Sequence, residues 1–107
     1  MIWRGRHVTE PTELSLEEAA GYWHEVLRVA KALLHHYRPL KMNYETQGNS
    51  LPHLHTHLIP RYPIDPAPGW VFPFPVLGPD HPMIPETRLE PEVVALRSLF
   101  SGEVDHQ

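Results

Sequence analysis

Residues 52–61 read Pro-His-Leu-His-Thr-His-Leu-Ile-Pro-Arg, with His53, His55 and His57 at every second position. No other stretch constrains the fold as tightly. On a β-strand, side chains at i, i+2 and i+4 leave on one face. A strand therefore puts the three imidazoles in one row and turns Leu54, Thr56 and Leu58 to the opposite face. A helix would scatter the rings. Leu54, Leu58 and Ile59 suit a half-buried strand, and Pro52 and Pro60 bracket it.

Three readings of the row compete. It is a strand that happens to be rich in histidine, a metal site, or an anion site in which one imidazole is a nucleophile tuned by its neighbours. Neutral imidazole is a common ligand for zinc, copper or nickel. Imidazole also titrates near neutrality and can attack, donate or accept a proton at pH 7. The preceding residues bear on the choice. Residues 41–45 read as a short strand, and residues 46–50 carry turn chemistry, with Gly48 and Asn49 tolerating positive φ. The product is a hairpin with a loop of about five residues. It brings the Asn43 amide, the loop amides and the Ser50 hydroxyl to one end of the row. A Gly-Asn-Ser turn can present backbone N–H groups to an anion. No carboxylate or thiolate, which a metal would favour, lies in the loop or on the His strand.

Gly48-Asn49-Ser50, the spaced His53, His55 and His57, Asn43 on the preceding strand and Pro60-Arg61 after the row together resemble the signature of the histidine triad (HIT) superfamily. Those proteins are nucleotide hydrolases and transferases acting at an α-phosphate. Thr56 departs from the pattern, which has an apolar residue at that position. The resemblance implies that His55 is the nucleophile, that it forms a nucleotidyl-histidine, and that His53 and His57 orient and polarise. It implies that Asn43, Gly48, Asn49 and Ser50 hold phosphate or ribose oxygens, with Ser50 helping to pass a proton to the leaving group. It also implies a homodimer. It spans about residues 4–61 and lacks the family's opening third. Arg6-His7 fits the place where family members end the strand before the long helix, so His7 is a candidate fourth histidine beside the triad.

A 107-residue chain is one domain near the small end for an independent core. The 41% hydrophobic and 21% charged fractions suit a globular protein. The chain has no cysteine, which removes disulfides, thiol catalysis and Cys-based zinc sites, and fits a reducing compartment. A net charge of −4 argues against a general nucleic-acid binder. No apolar run has the length of a membrane span and no signal-peptide core follows Met1, so the reading is cytoplasmic, with no membrane partner and no cofactor.

Residues 1–8 read as a strand. Ser15 and Glu18 form a capping box, and Leu16, Ala19, Ala20, Trp23, Val26, Leu27, Ala30, Leu34 and Tyr37 form a helical stripe. The helix ends at or just before Arg38, because Pro39 follows. Its roughly 22 residues span about 33 Å. Residues 63–85 hold eight prolines, which rules out a regular helix or central strand. The interleaved Trp70, Val71, Phe72, Phe74, Val76 and Leu77 argue for an arm packed on the domain, with Trp70 a candidate stacking partner for a base. Pro91 is predicted at the first position of a last helix that Ser101-Gly102 closes. The fold class is α+β: a HIT-like antiparallel sheet of about three strands, one long helix packed on it, a Pro-rich arm and a short terminal helix. The core spans 1–62, and the arm and terminal helix 63–107. The resemblance implies the function of a nucleotide phosphohydrolase or nucleotidyl transferase acting at an α-phosphate, of the dinucleoside polyphosphate or phosphoramidate class. The alternatives are a catalytically weak nucleotide-binding or interaction protein, or a His-row metal-binding domain.

Overall fold

The structure is a computed structural model that describes residues 1–65, 69 and 85–103. A short 3-10 helix at Pro11–Glu13 leads into α1 (Leu16–Tyr37), then β1 (Lys41–Glu45), β2 (His57–Arg61) and α2 (Glu86–Glu103). Strands β1 and β2 pair antiparallel, with Asn43 opposite Ile59 and Glu45 opposite His57.

Helix α1 begins where its cap requires. The Ser15 hydroxyl accepts from the Glu18 N–H, and the Glu18 carboxylate accepts from the Ser15 N–H at 2.8 Å. Such a cap contributes about 1 kcal/mol, comparable to the penalty of up to ~1 kcal/mol for Gly21 inside the helix. At the other end Arg38 turns left-handed at φ 51, and its N–H reaches the Leu34 carbonyl at 3.0 Å. Helix α1 buries Val26, Ala30 and Tyr22. Val26 and Tyr22 meet Val8 and Leu54, and Trp3, Leu14 and Leu58 pack around that core.

Three expectations need correction. Residues 1–8 form no strand: Ile2 makes a single bridge to His55. Flanking bonds run from Trp3 N–H to the Leu54 carbonyl and from Thr56 N–H to the Met1 carbonyl. Gly5, at φ 124, then bends the chain away before Val8 returns to accept from the Leu54 N–H. The sheet therefore has two strands plus this bridge. The connection between β1 and β2 covers residues 46–56, and Pro60 sits inside β2 opposite Met42, a position proline tolerates on an edge strand. Helix α2 starts at Glu86, with Pro91 inside it. The Arg88 N–H already closes a turn on the Pro85 carbonyl, so Pro91 removes a single interior bond instead of opening the helix.

Helix α2 packs against α1 through the Tyr37 hydroxyl, which donates to Glu92, and through Arg28, whose guanidinium lies 4.9 Å from the centre of the Phe100 ring. Burial first, and the Glu92 carboxylate next, push the Tyr37 hydroxyl up to about 12. Trp70, and the 70–74 segment expected to pack on the domain, lie outside the described residues. No helix among those described is long and apolar enough to cross a membrane.

Three carboxyls are held below the ordinary range. Asp65 accepts from the Arg61 guanidinium at 2.8 Å and from the Tyr62 N–H. Glu18 accepts from Arg6 and from the Ser15 N–H. Glu13 accepts from the Thr9 hydroxyl and from the Glu10 N–H. A carboxyl depressed in the folded state adds stability that is complete above its unfolded pKa of about 4 and is lost as pH falls through the folded value. Thermal unfolding should therefore show the contribution of these carboxyls to Tm complete above about pH 5 and lost below about pH 4. Asp65→Asn should lower Tm at pH 7 and reduce that acid loss. An acid limb of the same depth in the variant would contradict this account.

Candidate functional site

Alternation does its work between residues 53 and 58. Leu54 and Thr56 are each 1% exposed, on the side where Tyr22 and Val26 of α1 lie. His53 and His55 are half-buried and His57 is exposed. Only His57 belongs to β2, yet the two-residue alternation holds through the bridged residue His55.

Each imidazole has a different set of partners. The Nδ1 of His55 lies 2.7 Å from the His53 carbonyl. A carbonyl only accepts, so Nδ1 carries a hydrogen, and in the neutral ring Nε2 keeps its lone pair. His53 shows the opposite tautomer. Its Nε2 lies 2.7 Å from the Trp3 carbonyl and donates to it. The neutral ring then offers Nδ1 as an acceptor, and the His7 Nδ1, 3.0 Å away, donates to it. The His7 and His53 rings stack, with centroids 5.1 Å apart and planes at 20°. His55 and His57 meet edge to face, at 5.2 Å and 82°.

A cleft of about 550 Å³ opens beside the row. His55 and His57 line it together with Gly48, Asn49 and Ser50, and Ile2 forms part of its wall. Thus the loop and two of the three histidines converge on one space. His53 and His7 do not line the cleft; the His53 carbonyl meets the His55 ring, and His7 meets His53. Asn43, half-buried on β1, does not line it either. Among the described residues, residues 47–50 make no hydrogen bond to the rest of the chain, so their N–H groups are available to a ligand. Among those residues no three His, Asp or Glu side chains are grouped as a metal ion would require.

Sequence reasoning missed two features. Thr56 is the middle of a buried hydroxyl chain: Tyr22 Oη lies 2.6 Å, and Thr46 Oγ1 2.7 Å, from its Oγ1. The signal was present as a threonine where an apolar residue is usual. Glu45, opposite His57, is 9% exposed, and neither carboxylate oxygen has a hydrogen-bond partner. A strand reading of residues 41–45 assigns it to the same face as the histidines, but nothing in the sequence marks it as buried.

The tautomers can be read directly. Ring 15N spectra of the neutral protein should show His55 protonated at Nδ1 and His53 at Nε2. Replacing His7 by Phe should leave the His55 tautomer unchanged while altering the His53 Nδ1 signal. A His55 ring protonated at Nε2 would overturn the assignment.

The chain is similar to several known proteins. Aligned over 61 residues, the chain is 34% identical to protein hit of Bacillus subtilis (strain 168), a match that covers 52% of this chain and 42% of that protein's length. A histidine triad protein of Bradyrhizobium japonicum superposes with a TM-score of 0.74 at 28% identity, over 92% of this chain and 72% of its own. One from Marinobacter aquaeolei VT8 gives 0.74 at 29%, over 94% and 71%. The family model for the HIT domain matches residues 1–64. The chain belongs to the HIT domain family.

Proposed function

We propose that this chain is a nucleotide phosphohydrolase or nucleotidyl transferase that works at an α-phosphate, with His55 as the nucleophile. The observation that carries the reading is the His55 Nδ1 bond to the His53 carbonyl, which in the neutral ring turns the lone pair to Nε2, on a ring that lines the cleft. Asn49, Ser50 and the loop N–H groups line the same cleft and suit non-bridging phosphate oxygens.

In the first step the Nε2 lone pair attacks the α-phosphorus. The bond to the leaving group breaks, and the leaving group departs with a proton passed by Ser50. The ring, now bonded to phosphorus at Nε2 and to hydrogen at Nδ1, becomes cationic. The His53 carbonyl faces that charge. His53 is itself held by the Trp3 carbonyl and by His7, so the acceptor does not shift as charge develops. In the second step water attacks the phosphorus and gives a proton back to Ser50, the P–N bond breaks, and the nucleoside monophosphate leaves with the Nε2 lone pair of His55 restored. His57, edge-on to His55, supports the oxygens. Asn43, away from the cleft wall, supports the site through β1. The substrates that fit are dinucleoside polyphosphates and nucleoside phosphoramidates, and the chemistry is that of a soluble cytoplasmic enzyme without a cofactor.

His55→Ala should abolish hydrolysis of diadenosine polyphosphate or adenosine phosphoramidate, a loss of several orders of magnitude. His53→Ala and His57→Ala should cost less, because one ring alone can stand in line with the scissile bond. Rapid quenching followed by mass spectrometry should find the adduct on His55. A wild-type chain that binds no AMP and turns over neither substrate would defeat the enzyme reading.

The working unit is a homodimer. Leu16, Trp23, Leu27 and Leu34 of α1 remain 90%, 37%, 48% and 38% exposed. Leu16, Ala20, Trp23 and Leu27 follow a 4-3-4 spacing, with Leu34 seven residues further on, which suits the seam of a two-stranded coiled coil. A second copy offers the same seam across a two-fold axis. Light scattering should give twice the chain mass for wild type and the single mass for Leu27→Glu. A monomeric wild type at micromolar concentration would refute the dimer.

A further inference from the structure

We infer that the buried hydroxyl chain Tyr22–Thr56–Thr46 is a positioning device for the phosphate-facing loop, with Thr56 as its hub. The inference rests on the reading of that loop given above and adds residues that touch no substrate. Thr56 stands between His55 and His57 in sequence, but its side chain points away from them and is 1% exposed. At such a depth a hydroxyl without a partner is costly, and an apolar side chain would pack at no such penalty. Thr56 has two partners. The Tyr22 hydroxyl, itself 6% exposed on α1, lies 2.6 Å away, and the Thr46 hydroxyl lies 2.7 Å away. A hydroxyl donates one hydrogen and accepts others, so the three oxygens form one directional run.

The run matters because of what it holds. Thr46 is the first residue after β1, and residues 47–50 follow it onto the cleft wall. Among the described residues, 47–50 have no hydrogen bond of their own to the domain, so the Thr46 side chain is the polar tether at the start of the loop. Its anchor is the strand segment that carries His55 and His57, and that segment is braced in turn by Tyr22 of the long helix. The Thr56 backbone is fixed independently: its N–H donates to the Met1 carbonyl at 2.8 Å, and its carbonyl accepts from the Met1 nitrogen at 2.9 Å. The hub is thus clamped at both main chain and side chain. The tether sets the distance between the loop donors and the His55 nucleophile, which catalysis by positioned groups requires. The Thr56 methyl fills the apolar position, while its hydroxyl adds a loop anchor that valine would not supply.

Thr46→Val and Thr56→Val separate this role from packing. Thr46 is exposed, so Thr46→Val should keep the wild-type Tm. Backbone 15N relaxation should show order parameters at residues 48–50 falling from a rigid value to below about 0.6 in both variants. AMP affinity should weaken about tenfold in both, with KM rising more than kcat falls. Thr56→Ser should restore both readings, and Tyr22→Phe should produce a smaller change. Unchanged order parameters at 48–50 in Thr46→Val would overturn the proposal. The relaxation measurement needs no nucleotide, so it judges the tether even in a chain that fails to bind AMP, an outcome that refutes the enzyme reading instead.

Discussion

Burial of Leu54 against Val8, Tyr22 and Val26 is the contact on which the rest of this structure depends. Removing a leucine side chain from water contributes about 2 kcal/mol, and a one-residue slip would forfeit it while driving imidazoles into the core. That contact sets the phase of the whole segment. With Leu54 and Thr56 inward, His53, His55 and His57 turn toward the other side without any need for a full strand beneath them. The N-terminal residues complete the arrangement from the other edge, because the Leu54 N–H and carbonyl are taken by Val8 and Trp3.

Much of this was legible in the residues. The capping box at Ser15 and Glu18, the apolar stripe and Pro39 marked α1 to within a residue of its observed ends. Residues 41–45 formed the expected strand, and the loop did meet the His row. What failed did so for identifiable reasons. Residues 1–8 have strand-like apolar content, but Gly5 takes a φ that a regular strand does not use. Pro91 suits the first turn of a helix, yet the turn closed by Pro85 and Arg88 placed that first turn earlier. Local propensity could not see either event, since each depends on a neighbouring backbone group.

The candidate site shows the same division. Residue type and spacing anticipated that His55 and His57 share a side with Asn49 and Ser50, because period-two alternation is a local property, but not that His53 and Asn43 stand off the cleft. They did not reveal which atoms meet. His7 and His53 are separated by 46 positions in sequence, and Tyr22 and Thr56 by 34. Such pairings follow from how the chain returns on itself, and a resemblance was needed even to suspect His7. Thr56 was visible as a departure from an apolar pattern, but its two hydroxyl partners lie on different elements, and no local rule connects them.

Three chemically identical side chains on one segment are thereby made unlike one another by main-chain carbonyls. The His53 carbonyl fixes His55 with its hydrogen on Nδ1, and the Trp3 carbonyl fixes His53 with its hydrogen on Nε2. Side-chain acceptors could have served the same purpose, but a carboxylate would add charge and a long flexible arm. A carbonyl belongs to the backbone that the hydrophobic contact already holds in place, so orienting these rings carries little extra entropic cost. It also carries no charge of its own, so the acceptor it offers is the same at every pH. The packing of Leu54 and the lone pair on His55 are in this sense one structural decision. The residue that anchors the core lies between the two histidines whose backbone and ring make the decisive bond.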